Sequence, residues 1–173
     1  MAIVFTVEDG SVVAGANSYV SVAEADDIIT VNIHQSTAWL ALSSTDKEYL
    51  LIWATRTLDY YVDWEGEKTD EDSALRWPRT GVTDRDGNTI DDDVIPDPVK
   101  EATALLASSL RAKDRSGEQG SDGVKRVKAD VVEVELDSNY RIGMLTDDLA
   151  FILKGLGIVH TGSGVGFGQI VRS

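Results

Sequence analysis

His34 and His160 are the only imidazoles in the chain and there is no cysteine. A zinc centre would therefore need carboxylates for its remaining ligands, and none stands at ligand spacing from either histidine; both read as surface or cap residues. Asp70 with Glu71, or Asp91-Asp92-Asp93, could divide acid and base roles, but 30 acidic residues bring such neighbours together by composition alone. Asp84-x-Asp86-Gly87-Asn88 places oxygens at alternate positions, as a calcium loop begins. Thr89 then stands where that loop needs glycine and Ile95 where it needs a bidentate glutamate, so the stretch reads as a turn held by Asx side chains. No nucleophile-elbow motif accompanies any serine. Gly162, Gly164, Gly166 and Gly168 alternate like a phosphate loop, yet the chain ends five residues after Gly168, too soon for the helix that a dinucleotide fingerprint requires. The residues predict no catalysis, no metal and no cofactor.

Recognition chemistry is better represented. The stretch from Trp64 to Pro98 has no clear periodicity but holds Trp64 and Trp77 and the sequence Leu75-Arg76-Trp77-Pro78-Arg79-Thr80-Gly81. A long connector rich in large aromatics is ordered rather than disordered. Pro78 fixes its own φ and drives Trp77 from the α region, which predicts an extended Trp77-Pro78-Arg79. The two indoles serve either as buried plugs between helices or, with Arg79, as anchors for a partner, because Trp and Arg are enriched in interface hot spots.

Charge is distributed unevenly. The formal net charge is −14, a field that repels phosphate over most of the surface. From Arg111 to Lys128 six Lys and Arg oppose three Asp and Glu, so this segment carries +3 and the rest −17. Lys125, Arg126 and Lys128, with Tyr140 or Phe167 as stacking partners, are the residues a single-stranded-DNA-binding protein would use. A solvated face is the plainer account of the same cluster.

The elements that would position these groups are mainly helical. Ile3, Phe5 and Val7 alternate before Asp9-Gly10, predicting an N-terminal β-hairpin or arm over residues 3–20. Ser21-Val22-Ala23-Glu24 is a capping box opening a helix that ends near Asn32, and Thr45 with Glu48 suggests a second box. Leu50, Trp53, Ala54, Thr57, Leu58 and Tyr61 fall at helical spacing; Leu51, Ile52 and Tyr60 widen the stripe until it needs more than one neighbour. Asp97-Pro98 starts a third long helix carrying Val99, Ala102, Leu106 and Leu110 to about Arg115. Val132, Val134 and Leu136 alternate with Glu133 and Glu135, predicting a strand that pairs with the N-terminal hairpin or a neighbouring chain. Leu145, Leu149, Ile152, Leu153 and Leu156 mark a last helix, begun by Thr146 and stopped near Gly155. The expected architecture is thus a small helical bundle with a long ordered Trp-rich loop, an N-terminal arm, and a C-terminal extended strand and tail. Gly117, Gly120 and Gly123 suggest a division into a core over 1–115 and an assembly region over 116–173. The N-terminus lacks a signal-peptide pattern and no run reaches membrane-spanning length, so a cytoplasmic setting without membrane contact is expected.

Several of these pieces together resemble a known family. Ala16-Asn17-Ser18-Tyr19-Val20-Ser21-Val22-Ala23-Glu24-Ala25, Ala54-Thr55-Arg56-Thr57-Leu58-Asp59, Trp64-x-Gly66-x-Lys68-Thr69, Leu75-x-Trp77-Pro78-Arg79-Thr80-Gly81 and Ile95-Pro96-x-x-Val99-Lys100 are similar to head-to-tail connector proteins of tailed bacteriophages. These adaptor or head-completion proteins include a subgroup labelled DnaT-like single-stranded-DNA-binding. The resemblance spans about residues 8 to 115. It implies a structural virion protein at the neck, assembled in the host cytoplasm as a ring of twelve copies between portal and tail proteins, with no enzymatic reaction. Genomic double-stranded DNA would pass through without sequence-specific binding, and Asp and Glu of residues 63–93 are expected to line that conduit. The expected interface residues are Trp64, Trp77, Arg79, Lys125, Arg126, Lys128, Phe167, Ile170 and Arg172.

Overall fold

The computed structural model describes residues 3–112, 127–129, 132–134 and 144–160. The predicted capping box is present: Ser21 accepts from the Glu24 amide at 3.2 Å and Glu24 accepts from the Ser21 amide at 2.9 Å, opening α1 (Val22–Thr30). After the short α2 (Ser36–Leu40), α3 (Ser44–Tyr61) is capped by Ser43, whose hydroxyl accepts from the Asp46 amide at 3.1 Å. The expected Thr45–Glu48 box is absent because Ser43 is already extended and α3 has begun by Thr45, so that hydroxyl stands inside the first turn. The other long helix is α4 (Asp97–Ala112), and α5 (Asp147–Ile152) follows Thr146.

Among the described residues there are three antiparallel ribbons, each of two strands. β1 (Val62–Trp64) leaves α3 directly and pairs with β6 (Gly157–Val159), with Asp63 opposite Ile158. β2 (Glu67–Lys68) pairs with β3 (Arg79–Thr80) across the Trp-rich loop. β4 (Val127–Ala129) pairs with β5 (Val132–Val134). The strand expected over 132–136 thus finds its partner two residues upstream, where loop closure costs least, instead of at the N-terminus.

The N-terminal hairpin is replaced by a different device. The Glu8 carboxylate, 1% exposed, accepts from the amides of Gly10, Val12 and Val13 at 2.9–3.0 Å. Groups that a hairpin would pair across two strands are consumed by one side chain, and only a single parallel bridge, Val7 with Ser18, remains. Gly10 has φ +107° and its backbone lies so close to Asp93 that a Cβ there would stand 1.9 Å from the Asp93 carbonyl oxygen. The N-terminal loop is thereby seated on the far end of the Trp-rich stretch.

One apolar cluster joins these parts. Tyr19, Ile29, Trp39, Leu51, Leu58, Trp77 and Leu106 are fully buried, and Leu145, Leu149, Leu153 and Leu156 belong to the same core. The wide stripe of α3 is therefore largely covered from within the chain, by α1, α4 and the Trp-rich loop, although Tyr60 stays exposed. A boundary at 115/116 does not separate two cores among the described residues. Residues 145–156 are built into the helical body because α5 lies against α4 and β6 is hydrogen-bonded to β1.

Candidate functional site

The Trp-rich loop is fastened from three sides. Tyr19 is buried and its phenol donates to Asp59 Oδ1 at 2.6 Å while accepting from the amides of Arg76 and Trp77 at 3.1 and 3.3 Å. Burial, then the charge of Asp59, push the Tyr19 phenol well above its usual range. Burial also raises the Asp59 carboxyl, against the opposing effect of its hydrogen bonds from Tyr19 and the Arg76 amide. A group this enclosed has no path to a substrate; it ties the N-terminal segment, α3 and the loop at one point.

Arg79 forms the second fastening. Its Nε donates to the Glu65 carbonyl at 2.5 Å, Nη1 to Arg76 at 3.0 Å, and Nη2 to Gly66 at 2.5 Å and Trp64 at 3.4 Å. The planar fork satisfies carbonyls of both ends of the loop, and the side chain is nearly buried. Desolvation lowers its pKa, without removing the charge. Trp64 and Trp77 make the third fastening, edge to face with ring centroids 5.7 Å apart. The Trp77–Pro78 peptide is cis.

These positions correct the expected interface. Trp77 is 0% exposed and Arg79 8%, so neither is offered to a partner; the plug reading describes the tryptophans and Arg79 is the loop's internal clamp. Trp64 is half-buried against Trp77. Lys125, Arg126, Phe167, Ile170 and Arg172 lie outside the described residues, as does Tyr140, and Lys128 belongs to β4. Asp84 spends its carboxylate on its own turn, accepting from the amides of Asp86 and Asn88 and from the Asn88 side chain at 2.7–2.9 Å. His160 meets Asp63 at 2.6 Å across β1 and β6, both exposed. No group of three or more His, Asp or Glu placed to hold a metal occurs among the described residues.

The surface available to a partner lies elsewhere. Two open grooves flank the N-terminal half of α4 and share Asp97 and Glu101 as the ridge between them. The first, about 750 Å³, is lined by the apolar Ile90, Val94, Phe151 and Leu156; the second, about 630 Å³, by Ile28, Val31 and Leu105. The Glu24–Lys100 ion pair, at 2.9 Å, lies in the second groove. Burial would raise the Glu24 carboxyl, but hydrogen bonds from Lys100, the Ser21 hydroxyl and the Ser21 amide hold it down to about 2. On α3, Tyr49, Trp53, Arg56 and Tyr60 recur at helical spacing along one stripe, with Tyr60 81% exposed and Tyr49 and Arg56 also open. Sequence periodicity placed Trp53 and Tyr60 in the core stripe and passed over Tyr49 and Arg56, and the position of α4 shows which side of α3 stays bare.

No curated protein and no solved structure matches the chain. Residues 3–173 match the family described as "Putative DnaT-like ssDNA binding protein", and with that match extending over nearly the whole sequence the chain belongs to this family.

Proposed function

We propose that the chain is a structural subunit, a head-to-tail adaptor of tailed bacteriophages that docks on the portal as a ring, forms part of the DNA conduit and catalyses no reaction. The observation that carries this reading is the apolar surface left bare around α4. Val31 is 84% exposed, Ile33 77% and Phe151 68%, beside two grooves that nothing in the chain fills among the described residues. Exposed apolar side chains gathered on both sides of a charged ridge mark a protein contact. The acidic character of the Trp-rich loop supports the conduit: Asp63, Glu65, Glu67, Asp70, Glu71 and Asp72 are all exposed, and like charge lets DNA slide past without condensing on the wall. Its setting is then the virion neck, after assembly in the host cytoplasm. The test is co-sedimentation with the cognate portal ring followed by cryo-electron microscopy. A ring of this chain on the portal is expected; failure to bind the portal overturns the reading.

The family's description favours a second reading, a single-stranded-DNA-binding replication accessory. The α3 stripe gives it a physical basis, because the exposed Tyr49 and Tyr60 offer rings to bases and Arg56 a cation between them. Fluorescence anisotropy with a labelled oligothymidylate separates the two. The accessory binds with an affinity that falls steeply between 50 and 200 mM salt, and replacing Tyr49 and Tyr60 by alanine weakens it; the adaptor leaves the anisotropy flat.

A further inference from the structure

We infer that the bare stripe of α3 is one half of a subunit contact, and that its occupant is the Asp97–Glu101 ridge of a second copy of the chain. The inference rests on the ring reading and specifies which surfaces meet. Tyr49, Arg56 and Tyr60 are exposed on the side of α3 opposite the buried Leu51, Ala54 and Leu58. Residues 49 and 60 stand about 16 Å apart along the helix, with residue 56 between them. Arg56 makes no ion pair among the described residues. The stripe therefore presents a cation between two aromatic rings. The surface around α4 presents carboxylates between two apolar hollows: Asp97 and Glu101 form the ridge, with Val94 and Phe151 lining the groove on one side and Ile28 and Val31 the groove on the other. Lys100 is engaged by Glu24 and Arg85 donates to the Phe151 carbonyl. Lys154 also lines the first groove, yet neither ridge carboxylate has an ion-pair partner among the described residues.

With its side chains α4 is about 10 Å across. An α3 laid across it can thus set Arg56 against the two carboxylates while Tyr49 and Tyr60 reach into opposite grooves. Tyr and Arg are among the residue types that carry most of the energy of such contacts. Stripe and ridge are different surfaces of the same chain, so the contact is heterologous. Each subunit offers its stripe to one neighbour and its ridge to the other, an arrangement that continues until a rotation closes it into a ring. Opposite charge at the two surfaces steers the encounter and disfavours the pairing of ridge on ridge.

The absence of cysteine permits a direct test. One population of full-length chain carries Tyr60→Cys and a mass tag. The other carries Val94→Cys or Val31→Cys, one on each side of the ridge, and the two populations are mixed under mild oxidant. With at least one of these partners, mixed disulfide dimers are expected at least ten-fold faster than with Ile158→Cys, an exposed site on β6. Adding Arg56→Glu to the first chain should bring the rate down to that control, with an unchanged circular dichroism spectrum. Adding Glu101→Arg to the second should then restore most of it. Control-level linkage with both partners overturns the inference, as does linkage that Arg56→Glu leaves unchanged. Chains that still ring the portal while linking at the control rate would refute the contact and leave the adaptor reading standing. Control-level linkage by chains that bind labelled oligothymidylate would give the stripe to DNA and refute the contact. Fast linkage by chains that do not bind the portal would remove the adaptor reading and keep the contact.

Discussion

Replacing Tyr19 by phenylalanine deletes one oxygen and unfastens three parts of the chain. The phenol donates to Asp59 at 2.6 Å and accepts from the amides of Arg76 and Trp77, and the ring itself stays in its place in the core. A hydrogen bond to a charged partner contributes about 1.5–3 kcal/mol, and a buried amide left without an acceptor costs about 1–3 kcal/mol. The Arg76 amide keeps a bond to Asp59 Oδ2 at 3.3 Å, so only the Trp77 amide is orphaned. The expected loss is therefore about 2.5–6 kcal/mol, a drop in melting temperature of roughly 5–24 °C for a chain of this size. Urea unfolding followed by tryptophan fluorescence measures it, since Trp77 is a neighbour of the deleted group. The pH dependence gives a second readout. The folded Tyr19 pKa is raised well above 10, so the stability it contributes is full below pH 10 and is lost as the unfolded phenol ionises above it. Wild type should accordingly lose stability above pH 10 more steeply than Tyr19→Phe. A variant within about 0.5 kcal/mol of wild type, with the same alkaline slope, would show that the phenol ties nothing together.

Arg79→Lys should destabilise nearly as much as Arg79→Ala, by about 2–4 kcal/mol, because an ammonium cannot reach four carbonyls arranged for a planar fork; rescue by lysine in a thermal melt would contradict this. Gly10→Ala should cost several times more than Gly15→Ala in urea midpoints: both positions have positive φ, but Gly15 has nothing within 4 Å and Gly10 faces the Asp93 carbonyl. Glu8→Gln leaves one of three amides facing an NH₂ group and should cost about 1–2 kcal/mol, read by hydrogen exchange at Val12 and Val13. Glu24, held at about 2 in the folded chain against 4.5, stabilises fully above pH 4.5 and loses that contribution as pH falls towards 2. With its side chain 44% exposed, solvent screening limits the effect to about 1 kcal/mol, and Lys100→Met should remove most of this acid dependence.

The helices were legible because their signals are local. Ser21 and Glu24 specify a start by themselves, and the spacing of apolar residues over 50–61 describes a helix without reference to anything else. The strands after α3 were not legible, since Val62–Trp64 becomes a strand only by meeting Gly157–Val159, nearly a hundred residues on. Glu8 misled for a related reason. A surface-type residue beside Asp9-Gly10 reads as hairpin punctuation, and only the closed loop shows a carboxylate gathering three amides. The expected site suffered most at Trp77 and Arg79: residue type marks both as anchors, but an anchor for a partner and an anchor for one's own loop have the same composition. What distinguishes them is the position of Tyr19 and Asp59, which sequence spacing does not encode.

The late arrival of Leu145, Leu149, Leu153 and Leu156 in a core begun by Tyr19 sets a schedule for synthesis. A nascent chain that has emerged as far as Ala112 holds α3 against α4 with one flank of α4 still uncovered, and β1 waits for a partner not yet translated. Closure comes only when the ribosome has released residues up to about 160, because Leu145–Leu156 and β6 complete the core and the β1 ribbon. Until then the half-finished helices depend on solubility conferred by acidic side chains, which gives the chain's strong negative charge a use during synthesis.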